Sequence, residues 1–429
     1  MRSQTWKSCL GVLCLMAAGT ANAAKISFSD KGYIDVGALV QAQYRIEQDA
    51  AGSGKDPSND FLLRRARLII AGQFNDNIGF LVDTDVSYAS PTGPGTVSGV
   101  PAAAVPPAAG GASPTATGVY NGIYLLDAVA TYKFGKELMI DAGLQLLPSM
   151  NHNGLTSGSR YASVNNFTQY FSGNSQRATR DVGIAIRGLL LDDRLYYRMG
   201  VFNGVQSRAS IPAVAGPPAV AQSAGINPGD APRFAGQFRF NIAGKEDGYA
   251  FCQVCFAKSP IVSVGVGADY QANAIRGTAV TGPVPPATNS HTTGMGSYTN
   301  GFADFFADIP FSDDLELSLD VAVNKIWAGD DTPQSGLAIQ GLASMRFGII
   351  GPYVQIEYFD SAAPYVGKGN VAGNLTTYRG GFSLYVLQHT YKVSAEIAFQ
   401  QKEQAGNTID GQLIPPNHWV GTLQFQASF

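Results

Sequence analysis

The chain has 429 residues, with 29 Lys and Arg against 32 Asp and Glu and a formal net charge of -3. Charged residues make up 14% of it, well below the roughly 25% of an average soluble domain, and glycine is abundant at 50 residues. This balance excludes a basic nucleic-acid binder, and beyond the amino-terminus no stretch has the ~20 apolar residues of a membrane-spanning helix.

The amino-terminus sets the compartment. Arg2 and Lys7 precede an apolar stretch from Cys9 to Ala18, and Ala21, Asn22 and Ala23 form a small-residue cleavage site, so residues 1–23 are expected to be a secretory signal peptide. Cys14 follows Val12 and Leu13 instead of the small residues that precede a lipidated cysteine. Removal of Arg2 and Lys7 leaves 27 basic residues against 32 acidic ones, which moves the net charge from -3 to -5.

Apolar and polar residues then alternate through 32–45, the pattern of a strand with two different faces. A polar loop leads to 61–74, the tight turn Asn75-Asp76-Asn77 leads to 78–88, and a long loop precedes 120–134. The short turn Gly135-Lys136-Glu137 opens 138–147, a loop spans 148–177, and 179–190 returns through Asp192-Asp193 to 195–203. Further strands are predicted at 233–242, 261–271, 298–309, 315–327, 337–347, 353–360, 375–387, 391–401 and 417–429. Long loops thus alternate with short turns across about sixteen strands, an even number that brings the last strand back beside the first. The expected fold is an all-β transmembrane antiparallel β-barrel, one domain over 24–429, with loops outside the cell and turns in the periplasm of a Gram-negative outer membrane.

The terminal strand has Trp419, Leu423, Phe425 and Phe429 on one face and Thr422, Gln424, Gln426 and Ser428 on the other. One face suits outer-membrane lipid and the other water. Its aromatic end resembles the signal that such barrels present to the barrel-assembly machinery. An outer wall with small, flat residues such as Gly265, Gly267 and Ala268 would allow close packing of a homotrimer.

Alternation also assigns the lumen. With Leu68, Ile70 and Phe74 toward lipid, Arg65, Arg67 and Gln73 face inward. The same parity turns Arg187, Arg198, Arg233 and Arg239 inward, and on later strands Asp304, Asp308, Glu316 and Asp320. Charge inside a barrel implies water inside it, and arginines on one wall facing carboxylates on another imply a field across the channel. Asp83, Asp85, Asp127 and Asp141 are also placed inward, where they could pair with Arg65, Arg67 and Lys133.

Three loops, 91–117, 211–228 and 279–289, are rich in Ala, Pro, Gly, Val and Thr. The loop 148–177 differs: it carries Asn151, His152, Arg160, Tyr161, Asn165, Asn166, Gln169, Tyr170 and Arg177, which suit a constriction folded into the barrel. Cys252 and Cys255 lie in a periplasmic turn, where C-x-x-C can close a disulfide. Two thiols do not complete a zinc site and no His follows them for haem attachment, so neither metal nor cofactor is implied. His152, His291, His389 and His418 fall in no hydrolase motif, which argues against an enzyme.

The segments FLLRRARLIIAGQFNDNIGF (61–80), AGLQLLPS (142–149), RDVGIAIRG (180–188) and YYRMGVFNG (196–204) resemble the phosphate-selective porins O and P. The resemblance implies a trimeric sixteen-stranded porin with an arginine ladder that favours anions. Arg65, Arg67, Arg160, Arg187, Arg198 and Arg239 are its candidate pore-lining residues here. The alternatives are a non-specific or cation-favouring general porin and, of a different class, a barrel that acts as adhesin, anchor or hydrolase.

Overall fold

The computed structural model describes residues 24–51, 55–86, 123–164, 179–205, 227, 229–246, 248–280, 291–328, 335–361, 374–402, 406–407, 413–414 and 417–429. A short β1 (Ala24–Ser27) lies antiparallel on β2 (Tyr33–Glu47). The wall continues with β3 (Ser58–Gln73), β4 (Ile78–Val86), β5 (Ile123–Lys133) and β6 (Met139–Leu146), then a short helix α1 (His152–Leu155). It goes on with β7 (Arg180–Leu190), β8 (Leu195–Phe202), β9 (Arg233–Ala243), β10 (Ile261–Val280), β11 (His291–Ser312) and β12 (Leu315–Ala328). The remaining wall strands are β13 (Gly336–Phe347), β14 (Ile350–Ser361), β15 (Leu375–His389), β16 (Tyr391–Lys402) and β19 (Asn417–Ser428), with a two-residue pair, β17 (Gly406–Asn407) and β18 (Leu413–Ile414), before the last.

Each wall strand pairs antiparallel with its neighbour in sequence, β9 pairs with β10, and β19 returns to β2 with Leu423 opposite Tyr44 and Phe425 opposite Ala42. Closure leaves no free sheet edge, which is what lets a sheet cross lipid. At the seam Phe429 exchanges backbone hydrogen bonds with Ala38. A Cβ at Gly37 would stand 2.6 Å from the Phe429 carbonyl oxygen, so this approach needs glycine.

Burial is inverted relative to a soluble protein. Phe61, Ile123 and Val354 are 78%, 77% and 64% exposed on the outside, whereas Asp141, Arg198 and Arg239 inside are at 0%. Only a solvent of hydrocarbon makes that distribution favourable.

Several expectations change in detail. The strands β10 and β11 run on to Val280 and from His291, beyond the predicted 271 and 298, because cross-strand pairing continues through small and polar residues that give no lipid-facing signal. Gly265 and Gly267 face the lumen, since the outward positions of β10 are Val264, Val266, Ala268 and Tyr270. A Cβ at Gly265 would lie 2.7 Å from both Arg239 Nη2 and Asp304 Oδ1, so the missing side chain makes room for that ion pair. A bulge in β3 leaves Gln41 opposite Arg65 and Ala42 opposite Leu63, so Arg64 is an extra residue and parity changes there. Asp60 and Leu62 are buried before the bulge and Arg65 after it.

The connections at the end where β2 begins are short, with one exception. Residues 244–260, between β9 and β10, form a long hairpin that folds back into the lumen. The signal segment 1–23, most of the low-complexity loops, and Asn165, Asn166, Gln169, Tyr170 and Arg177 lie outside the described residues.

Candidate functional site

The connection from β6 to β7 enters the barrel and crosses it. Its first turn is α1, capped by Asn151, whose side chain accepts from the Gly154 N–H and donates to Asn324 and Gln340 on β12 and β13. Further along, Gln41 on β2 donates to the Gly158 carbonyl at 2.9 Å and Gln426 on β19 to that of Ser159 at 3.0 Å. Lys392 on β16 donates to the Tyr161 carbonyl at 2.6 Å and Ser383 on β15 to that of Ala162 at 2.9 Å. The polar inner wall therefore satisfies the loop's backbone, which is how an irregular segment is tolerated at membrane depth.

The hairpin 244–260 meets this loop inside the lumen. Ser157 N–H donates to the Phe251 carbonyl and Phe251 N–H to that of Leu155, each at 3.0 Å. Gln253 accepts from the Ala162 N–H and donates to Asp320. Leu146, Met150, Leu155, Leu189, Tyr196 and Phe251 close an apolar cluster beneath the contact. Cys252 and Cys255 are joined by a disulfide. Beyond it the hairpin reaches the opposite wall, where Phe256 packs on Tyr385 and His389.

His152 pins the assembly. Its Nδ1 lies 3.0 Å from Asp320 and its Nε2 2.8 Å from Glu246, its backbone N–H donates to Asp304, and its ring stacks on Phe306 and Phe251. Burial disfavours the charged ring, but Glu246 and Asp320 more than offset this and hold it up to about 9. Glu246 likewise resists burial and is held down at about 2 by His152 and Arg239. Arg239 closes the network on Asp304 at 2.8 Å and Glu246 at 3.4 Å.

The Tyr161 side is built differently. Burial pushes the Tyr161 phenol up, and the charges that pull it back are Arg65, Arg180, Arg67 and Arg64, all of them cations. Arg65 donates to Gln41 Oε1 at 2.6 Å, with no carboxylate within salt-bridge distance among the described residues. Lys392, close enough to feel the Arg65 charge, donates to the Ser159 and Tyr161 carbonyls and lies 5.9 Å from the Tyr385 ring. Asp83 and Asp85 oppose this excess through Arg67, at 3.7 and 2.8 Å, and Asp127 opposes it through Arg180 at 3.4 Å.

The expected site residues thus fall into groups. Arg67 and Arg187 are partly exposed and ion-paired, the latter to Asp141 at 2.7 Å, while Arg160 is exposed on the loop. Arg198 and Arg239 point inward but are completely covered by the loop and hairpin. Asp304 and Asp320 belong to the His152 network, Glu316 pairs with Arg346 at 2.7 Å, and Asp308 accepts from Ser318 at 2.6 Å. The inward carboxylates choose other partners than Arg65 and Lys133: register sets Asp83 opposite Ile69 and so Asp85 beside Arg67, while Lys133 lies at the turn end opposite Met139. Lys392 lies next to outward Val393 and was legible by alternation, but Arg64 depends on the bulge and Glu246 on the fold of the hairpin.

In sequence comparisons neither a family model nor a curated protein matches the chain. Solved structures match almost its whole length. An anion-selective porin from Comamonas acidovorans is similar over 93% of this chain and 100% of its own, with TM-score 0.53 and 10% identity. OprB of Pseudomonas putida is similar over 93% and 95%, with TM-score 0.57 and 9% identity. The trimer form of the outer membrane protein OmpT of Vibrio cholerae is similar over 93% and 100%, with TM-score 0.50 and 11% identity. The shared feature is the fold, a closed outer-membrane β-barrel.

Proposed function

We propose that this chain, exported behind residues 1–23, is an outer-membrane porin for passive diffusion of small hydrophilic solutes, and that it favours small anions, phosphate among them. The observation that carries the anion preference is the Arg65 guanidinium 5.9 Å over the Tyr161 ring, with Arg64, Arg67 and Arg180 near enough to act on the same phenol. A solute entering beside the loop meets guanidinium donors that replace part of an anion's hydration shell in a confined, low-dielectric space. Fixed charges there raise the local anion concentration, an effect that salt screens over about 8 Å at physiological ionic strength. Diffusion down a gradient requires no cofactor.

The segment resemblance to the phosphate-selective porins O and P and the anion selectivity of the Comamonas neighbour support the same reading. The Vibrio trimer supports a homotrimer. A cation-favouring pore would need free carboxylates, yet Asp304 and Asp320 are engaged with Arg239 and His152, and Glu316 with Arg346. A hydrolase would need an imidazole free to deprotonate a nucleophile, and both ring nitrogens of His152 face carboxylates.

The test is the reversal potential of single channels in a planar bilayer under a KCl gradient, followed by titration with phosphate. Anion selectivity with phosphate block is expected. Cation selectivity without block would replace this reading by a general porin, and absence of conductance would remove the channel altogether.

A further inference from the structure

The hairpin 244–260 does more than fill space. Three of its rings lie over arginines of the inner wall: Tyr249 over Arg198 at 4.7 Å, Phe251 over Arg239 at 5.0 Å and Phe256 over Arg346 at 4.7 Å. Tyr249 also donates to Asp127 at 2.7 Å, Gln253 to Asp320 at 3.3 Å, and the Phe256 N–H to Glu316 at 2.9 Å. One segment thus covers cations and carboxylates of the wall from β5 to β13. Its own ionisable residues, Lys245, Glu246, Asp247 and Lys258, sum to zero.

Arg198 is the informative member. It is fully buried, and its hydrogen bond is to Gln145 Oε1 at 3.0 Å, with no carboxylate within salt-bridge distance among the described residues. Among the described residues its charge meets the Tyr249 ring and the Gln145 oxygen, and the hairpin keeps water from screening it. Its partners would let it serve an anion if a solute could reach it.

We propose that the stapled hairpin is a selectivity element that withholds Arg198, Arg239 and Arg346 from permeating solutes, so that anions pass only along the Tyr161 side. The inference rests on the channel reading above. Lys245 and Lys258 are exposed at the turn end and Glu246 is buried in the lumen, so removal of the hairpin uncovers wall charge and also takes away one lumen carboxylate. Arg346 keeps Glu316 and Arg239 keeps Asp304 but loses Glu246, so the gain in anion preference that comes from uncovering is supplied by the unpaired Arg198.

The experiment compares the wild-type channel with a variant in which 244–260 is replaced by a two-residue Asp-Gly turn, and with Tyr249→Ala and Tyr249→Phe, in planar bilayers under a KCl gradient. The shortened variant is expected to conduct at least twice as well as wild type and to shift its reversal potential toward that of a pure anion channel. Adding Arg198→Gln to it should remove the part of the shift that uncovering supplies and leave the part due to the loss of Glu246. Tyr249→Ala should move the potential in the same direction by a smaller amount, and Tyr249→Phe, which keeps the ring over Arg198, by less than half of that. These point variants decide the matter if the shortened barrel fails to assemble. Wild-type conductance and reversal potential in the shortened variant, or in Tyr249→Ala if only that one assembles, would overturn the inference and leave the channel reading intact. Absence of conductance in wild type and variants alike would overturn both.

Discussion

His152 and Tyr161, both on the inserted loop, stand in opposite surroundings. At one end His152 stands among Glu246, Asp304 and Asp320, with Arg239 alongside, so that three carboxylates meet two cations. At the other end Tyr161 stands among four arginines. The first cluster is dry and its charges are spent on one another, which fixes the loop and hairpin to the wall. The second keeps charge in excess: Arg65 is buried beside the ring, and the part-exposed Arg64, Arg67 and Arg180 present that charge to a solute. In a water-filled barrel the mutually satisfied charges therefore hold the constriction and the cluster with cations in excess selects.

The sharpest way to break this contrast is to remove the pin. His152→Ala leaves three buried carboxylates to one guanidinium, a change expected to weaken loop docking by about 3–5 kcal/mol. Hydrogen exchange at Leu155, Thr156 and Ser157 should accelerate accordingly, and single-channel current should become noisy. Unchanged exchange would show that the apolar cluster alone holds the loop.

Raising the pH does the same reversibly. The folded His152 value of about 9 lies above the ordinary 6.5, so its contribution is complete below 6.5 and is lost as pH rises through 9. That gap corresponds to roughly 3 kcal/mol. Channel noise should rise and loop protection, taken relative to intrinsic amide exchange at each pH, should fall between pH 8 and 10 in wild type, with no such transition in His152→Ala. The Cys252→Ser variant should be milder, because closing so short a loop is worth about 2 kcal/mol on chain-entropy grounds. Its exchange should rise around Val254 and Phe256 more than around His152.

The barrel was largely legible because lipid imposes strict alternation, and each of the sixteen wall strands was announced by its outward apolar residues. Alternation also turned Arg198, Arg239, Asp304 and Asp320 inward. It could not tell which of them water reaches, because that depends on what the loop and hairpin cover. C-x-x-C marked a staple in 244–260 but not its destination, since a periplasmic turn and a segment folded into the lumen have the same local sequence requirements. Arg64 escaped notice because a bulge changes parity without leaving a glycine or proline as a signal.

The central claim is that uncompensated charge beside Tyr161 sets the ion preference. Its most direct test is the reversal potential of Arg65→Glu beside wild type, in the same bilayer and KCl gradient. Reversing one charge next to Lys392 and Tyr161 should lower the anion-to-cation permeability ratio by on the order of tenfold, equivalent to about 1.4 kcal/mol. A reversal potential identical to that of wild type, in a channel of normal conductance, would contradict the account.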